Sequence, residues 1–151
     1  MDTDDVIRAL DSFAPSDDDV ATAARLYEIF EGFCAQADRA RAVPAMFAAI
    51  ERYPEADLGS PGPFVHELEA IPGYETSLRE SVLRKPTYLA VWMVNRILNV
   101  EANQKARAGW MHLLEVAVQH PCASHSVRDT AARFIAHQTG ARLSEAGAAQ
   151  Q

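Results

Sequence analysis

Gly59–Asn99 reads GSPGPFVHELEAIPGYETSLRESVLRKPTYLAVWMVNRILN. Glycine and proline are the strongest breakers of regular structure, and Gly59, Pro61, Gly62 and Pro63 cluster at its start. Pro63 is suited to the first turn of a helix, where its missing N–H would be unpaired anyway. Phe64, Val65 and Leu68 follow at helical spacing until Pro72 and Gly73 interrupt them. Tyr74, Leu78, Ser81 and Val82 then mark one face of a second helix ending near Lys85. Pro86 opens a third, in which Leu89, Val91, Trp92, Met93, Val94, Ile97 and Leu98 leave almost no polar side. A helix that is apolar all round is predicted to lie at the centre of its domain.

The same grammar extends in both directions. Asp2 or Thr3 is placed to cap a first helix running through Phe13, which Pro15 breaks. Ser16 precedes Asp17, Asp18 and Asp19, an N-cap followed by acids at the positive end of a helix dipole. The next helix shows Val20, Ala23, Tyr27, Phe30 and Cys34 at helical spacing, with Leu26 and Phe33 beside them, and this face is read as core. Pro44 starts a third helix with Met46, Phe47 and Ile50 inward, stopped by Pro54. After Asn103, Ala106, Trp110, Leu113, Leu114 and Ala117 line a long helix that stops at Pro121. Ser124 or Ser126 caps a last helix using Val127, Ala131, Phe134 and Ile135, ended by Gly140.

No segment alternates with period two, so the predicted fold is all-α. The expectation is one compact domain over residues 1–140, of about seven to eight helices packed as antiparallel, HEAT-like hairpins. Residues 141–151 are expected to be a frayed tail. Trp92, Met93, Ile97, Trp110, Leu114 and Phe134 are the expected core residues. Cys34 and Cys122 read as reduced, partly buried thiols of a cytoplasmic protein. The start, MDTDDVIRALDSF, is not the pattern of a signal peptide, and no apolar run reaches membrane-spanning length.

With 48% hydrophobic and 23% charged residues the chain is an ordinary globular composition, but its net charge of −7 is unevenly spread. Residues 1–58 carry 13 acidic and 5 basic side chains, a net −8, while residues 59–151 carry 8 and 9, a net +1. That sign argues against nucleic-acid binding and for attraction of a basic protein.

Catalytic signatures are missing. HPCASH at His120–His125 offers His120, Cys122 and His125, but a structural zinc site needs a fourth ligand, and no metal is expected. His66 with Glu69, and His112 with Glu115, are i,i+3 pairs, not the HExxH of zinc proteases. His66-Glu67-Leu68-Glu69 with Pro121-Cys122 departs from the deaminase pattern in both halves. GSPGP lacks the Lys and Ser/Thr of a phosphate loop, and no nucleophile elbow occurs. No enzymatic activity and no cofactor are expected.

Asn95 and Asn99, at i and i+4 on the central helix with Arg96 beside them, are chemically unusual there. Buried polar groups need partners, so they are expected to be structural, reaching helix ends or Glu67, Glu69 or Glu80. Trp92, Trp110, Tyr74 and Tyr88 are expected to be core rather than an aromatic binding set.

Two segments, YPEADLGSPGPFVHELE at Tyr53–Glu69 and SVLRKPTYLAVWMVNRILN at Ser81–Asn99, resemble small all-helical proteins encoded beside bacterial polymorphic and contact-dependent growth inhibition toxins. The resemblance, spread over about residues 45–137, implies a cytoplasmic immunity protein that binds and neutralises a cognate toxin domain. It brings no contact residues with it. The acidity of the N-terminal half implies a basic, nuclease-type toxin whose active surface is occluded. Candidate contacts are Asp17, Asp18, Asp19, Glu28, Glu31, Glu55, Asp57, Glu67 and Glu69. The partner is then a protein, with neither nucleic acid nor membrane involved. The alternative is a small-molecule-binding or enzymatic helical protein with a polar pocket around His66, Arg96 and Asn99.

Overall fold

Eight α-helices and two short 3-10 turns, with no strand, make up residues 1–149, the part of the chain described by the computed structural model; side chains are described through residue 140. The helices are α1 (Thr3–Asp11), α2 (Asp19–Ile29), α3 (Val43–Arg52), α4 (Pro63–Glu69), α5 (Tyr74–Arg84), α6 (Tyr88–Val100), α7 (Gln104–Gln119) and α8 (His125–Ala149). The 3-10 turns, Phe33–Ala35 and Arg39–Ala42, link α2 to α3. No helix among the described residues is long and apolar enough to cross a membrane.

Local chemistry sets the helix ends. Asp2 caps α1 in a reciprocal box with Asp5, a device worth about 1 kcal/mol. Asp18, not Ser16, caps α2, accepting from the Val20 N–H at 2.9 Å. The Ser16 hydroxyl instead donates to the Asp18 carbonyl. Thr87 caps α6 through the Ala90 N–H, so Pro86 lies just outside the helix that it was expected to open. Asn103 caps α7 and Ser124 supports the first turn of α8. Gly140 does not end α8, whose backbone stays helical to Ala149. The side chains of the expected tail 141–151, and residues 150 and 151 entirely, lie outside the described residues.

α1, α3, α5 and α7 follow one another as packed neighbours, while α2 packs on α4 and α6 on both α7 and α8. One hydrophobic core runs through all of them, from Val6 to Ala131. Phe33, Phe47, Phe64, Leu10, Leu26 and Ile29 are fully buried, each contributing about 1.5–3 kcal/mol by removal from water. Met93, Trp110 and Leu114 are buried as expected; Trp92, Ile97 and Phe134 are half-buried at the edge of the core. α6 buries Leu89, Ala90, Val91, Met93, Val94 and Leu98.

Phe64 joins the first two helices to the fourth. It stands edge-on to Phe13 at 6.2 Å and to Phe30 at 5.6 Å between ring centroids. The loop before it closes tightly on itself: a Cβ at Gly62 would lie 2.6 Å from the Gly59 Cα and 2.8 Å from the Leu58 carbonyl oxygen. Gly59 also holds a φ of +93°, so neither position tolerates a side chain without distortion. This closure fixes the segment Asp57–Gly59 beside α2.

Candidate functional site

α2 decides where the candidate surface lies, because it has two apolar faces and buries only one. The buried face is Thr22, Leu26 and Ile29, continued by Phe30 and Phe33. Thr22 is tolerated inside because its hydroxyl bonds locally, donating to the Asp18 carbonyl and accepting from the Ser16 N–H. Of the expected core face, Phe30 is buried and Ala23 half-buried, while Val20 and Tyr27 are turned outward, the buried stripe being rotated by roughly 100°, one residue's rotation on a helix. Val20 is 78% and Tyr27 58% exposed, and Cys34 is exposed as well. The larger side chains win the interior, since Leu26, Ile29, Phe30 and Phe33 bury more apolar area than a face containing alanines.

The outward face walls a hollow of about 480 Å³, lined by Asp19, Val20, Ala23, Ala24 and Tyr27 of α2 and by Asp57, Leu58 and Gly59 of the closed loop. Its lining is mostly apolar, and Asp19 and Asp57 are its two acidic members. Asp57 turns one carboxylate oxygen to the Gly59 N–H at 3.0 Å, which fixes the loop's approach.

The candidate contacts divide into separate groups. Asp17, Asp18 and Asp19 are exposed together at the start of α2, with Asp18 engaged as a cap. Glu55 and Asp57 are exposed in the loop after α3, and Glu31 is exposed after α2. Glu28 pairs with Arg25 of its own helix at 3.2 Å. Glu67 and Glu69 are half-buried on α4 and line no part of the hollow. Glu69 accepts from Arg96 Nε at 2.9 Å, linking α4 to α6. Burial pushes the Glu67 carboxyl above its ordinary range, against the opposing pull of Arg39 and His66.

The polar residues of α6 are engaged. Gln138 Nε2 donates to Asn95 Oδ1 at 2.8 Å and to Asn99 Oδ1 at 2.7 Å. Gln138 Oε1 accepts from Arg107 at 3.2 Å, and Arg107 also donates to the Leu98 and Glu101 carbonyls at the end of α6. A cation there complements the negative end of the helix dipole. Arg96, besides its pair with Glu69, lies 5.6 Å from the Trp92 ring. His66, Arg96 and Asn99 are all exposed; Arg96 is paired with Glu69 and Asn99 with Gln138. Near Arg96, burial and the Glu69 and Glu75 carboxylates push the Tyr74 phenol up to about 12.

In a second cluster, Glu51 and Arg84 carry no sequence signal, and Ser81 reads only as part of a helix face. Glu51 of α3 is nearly buried and receives a two-point contact from Arg84 of α5, Nε at 2.8 Å and Nη2 at 2.7 Å. Ser81 donates to the same carboxylate at 3.0 Å. The carboxylate is thus neutralised and saturated, the arrangement that a buried charge needs. It clamps α3 to α5.

HPCASH forms a turn, not a ligand set. The His120 Nδ1 accepts from the Cys122 N–H, which leaves Nε2 to carry the proton and donate to the Leu83 carbonyl at 2.7 Å. Among the described residues no three metal-type ligands converge. Cys122, like Cys34, is an exposed free thiol and not the partly buried one expected. No protein-family model matches this chain, and neither a curated protein nor a solved structure does.

Proposed function

We propose that this chain is a non-enzymatic immunity protein that binds a cognate basic toxin domain and occludes its active surface. The observation that carries the reading is the joint exposure of apolar side chains and carboxylates on one side of α2, in a half of the chain with net charge −8. Water-exposed valine and tyrosine beside aspartates suit a protein partner that is cationic with an apolar centre. The engagement of Glu51 by Arg84 and Ser81, and of Gln138 by Asn95, Asn99 and Arg107, supports a structural use of these polar groups and a binding role over a catalytic one. The resemblance of Tyr53–Glu69 and Ser81–Asn99 to immunity proteins of toxin systems supplies the biological setting, which is the cytoplasm. The succession of α1, α3, α5 and α7 as neighbours supports helices paired as antiparallel, HEAT-like hairpins.

The test is co-expression with the toxin domain encoded by the neighbouring reading frame. Growth of a toxin-sensitive host is restored by the parent chain, and the two proteins co-elute as a complex. A toxin that kills equally with and without this chain, and does not bind it, overturns the reading.

A further inference from the structure

We infer that the hollow between α2 and Asp57–Gly59 receives one large apolar side chain from a basic amphipathic helix of the partner, with Asp19 and Asp57 meeting the flanking cations. This rests on the proposed binding of a basic toxin domain and names where and how that domain is held. Val20, Ala23, Ala24 and Tyr27 recur at i, i+3, i+4 and i+7, the spacing of a helix-packing face. Two alanines between two larger side chains leave a gap, and the hollow of about 480 Å³ occupies it. Such a gap is what a protruding side chain of a second helix fills. The loop residues Leu58 and Gly59 also line it.

Charge selects the occupant. Asp19 and Asp57 line the hollow and Asp17, Asp18 and Glu55 are exposed nearby in sequence, while the sole base of α2, Arg25, is paired with Glu28. A second copy of this chain would set the same aspartates against each other in an isologous contact. An anionic lipid surface would be repelled in the same way. A Lys- or Arg-bearing helix pairs with those carboxylates while its apolar face covers Val20 and Tyr27.

The experiment titrates the full chain, labelled for amide NMR, with a helical peptide of about 18 residues, roughly five turns, composed of leucine and lysine. A leucine/glutamate peptide and a serine/lysine peptide of equal length are the controls. The leucine/lysine peptide is expected to shift the amides of Val20–Tyr27 and Asp57–Gly59 and to bind at least about tenfold tighter than either control. The variant V20S/Y27S, altered only at exposed positions, loses about tenfold or more at every salt concentration. D19N/D57N, which keeps the acceptor for the Gly59 N–H, loses severalfold at low salt and converges on the parent at high salt. Shifts centred elsewhere, equal binding of all three peptides, or V20S/Y27S binding like the parent overturns the inference. The same variants then enter the co-expression assay. Full protection by V20S/Y27S overturns the docking inference and leaves the immunity reading intact. Peptide binding at the hollow by a chain that protects against no neighbouring toxin supports the docking surface and overturns the immunity reading.

Discussion

At Gln138 a single amide joins three helices: it donates to Asn95 and Asn99 of α6 and accepts from Arg107 of α7, from a position 4% exposed on α8. Gln138→Met keeps the length of the side chain and removes both functions. Arg107 Nη2 and the Asn95 side-chain oxygen then lose this partner in a partly closed site, while Arg107 Nη1 keeps the Leu98 and Glu101 carbonyls, at a cost of about 1–3 kcal/mol. The urea midpoint is expected to fall accordingly. Gln138→Glu recovers part of the loss, because a carboxylate accepts from Arg107 and the Asn amides can turn to donate. A midpoint unchanged in Gln138→Met would show the bridge to be dispensable. The need for such a bridge was legible in the sequence, since Asn95 and Asn99 share one face of an apolar helix. Its other members were not, because no local pattern links Asn95 and Asn99 of α6 to a glutamine 43 and 39 residues later. Glu51 was hidden for the same reason: on its own helix it looks like any solvated acid, and only Arg84 and Ser81 of another helix make it a buried one.

Among the elements, α2 separates what periodicity reveals from what it leaves open. That a helix starts beside Asp18 and carries apolar residues every three to four positions is written in the sequence. Which face turns inward is not, because two apolar stripes of the same period are offset by about one residue. The choice is made by Phe13, Phe30 and Phe64, brought together from three elements. Two variants read the outcome directly. Leu26→Ala empties a fully buried site and should cost about 2–5 kcal/mol. V20S/Y27S changes the exposed stripe and should leave stability within about 0.5 kcal/mol of the parent. Denaturant melts of both proteins check the assignment. Equal losses in the two would mean that the Val20–Tyr27 face is covered in solution. The Pro- and Gly-marked boundaries around α4 and α5 were legible because those residues act on their own backbone. Gly140, which permits a stop but does not compel one, misled.

For the molecule as a whole, charge is segregated along the chain, with −8 in residues 1–58 and +1 beyond. The fold brings part of that charge to one place, at the start of α2 and the loop after α3, and leaves Glu67 and Glu69 on α4 outside it. Binding through such a surface has a kinetic signature. Long-range attraction speeds encounter and is screened beyond about 8–10 Å at physiological salt, whereas contacts already formed are screened much less. Association with the cognate toxin domain should therefore slow as salt rises while dissociation stays nearly constant. The charges to neutralise are those outside the ion pairs and helix caps, and Asn at position 57 keeps the acceptor for the Gly59 N–H. Asp17, Asp19, Glu31, Glu55 and Asp57, changed together to Asn or Gln, keep the Asp18 cap and the Glu28–Arg25 and Glu69–Arg96 pairs. At low salt this variant should associate about tenfold or more slowly than the parent, and the two should converge near 1 M salt, where the screening length is about 3 Å. Stopped-flow mixing at several ionic strengths measures both rates. An association rate indifferent to salt and to these five changes would place the interface on the C-terminal half, where the net charge offers a partner no steering.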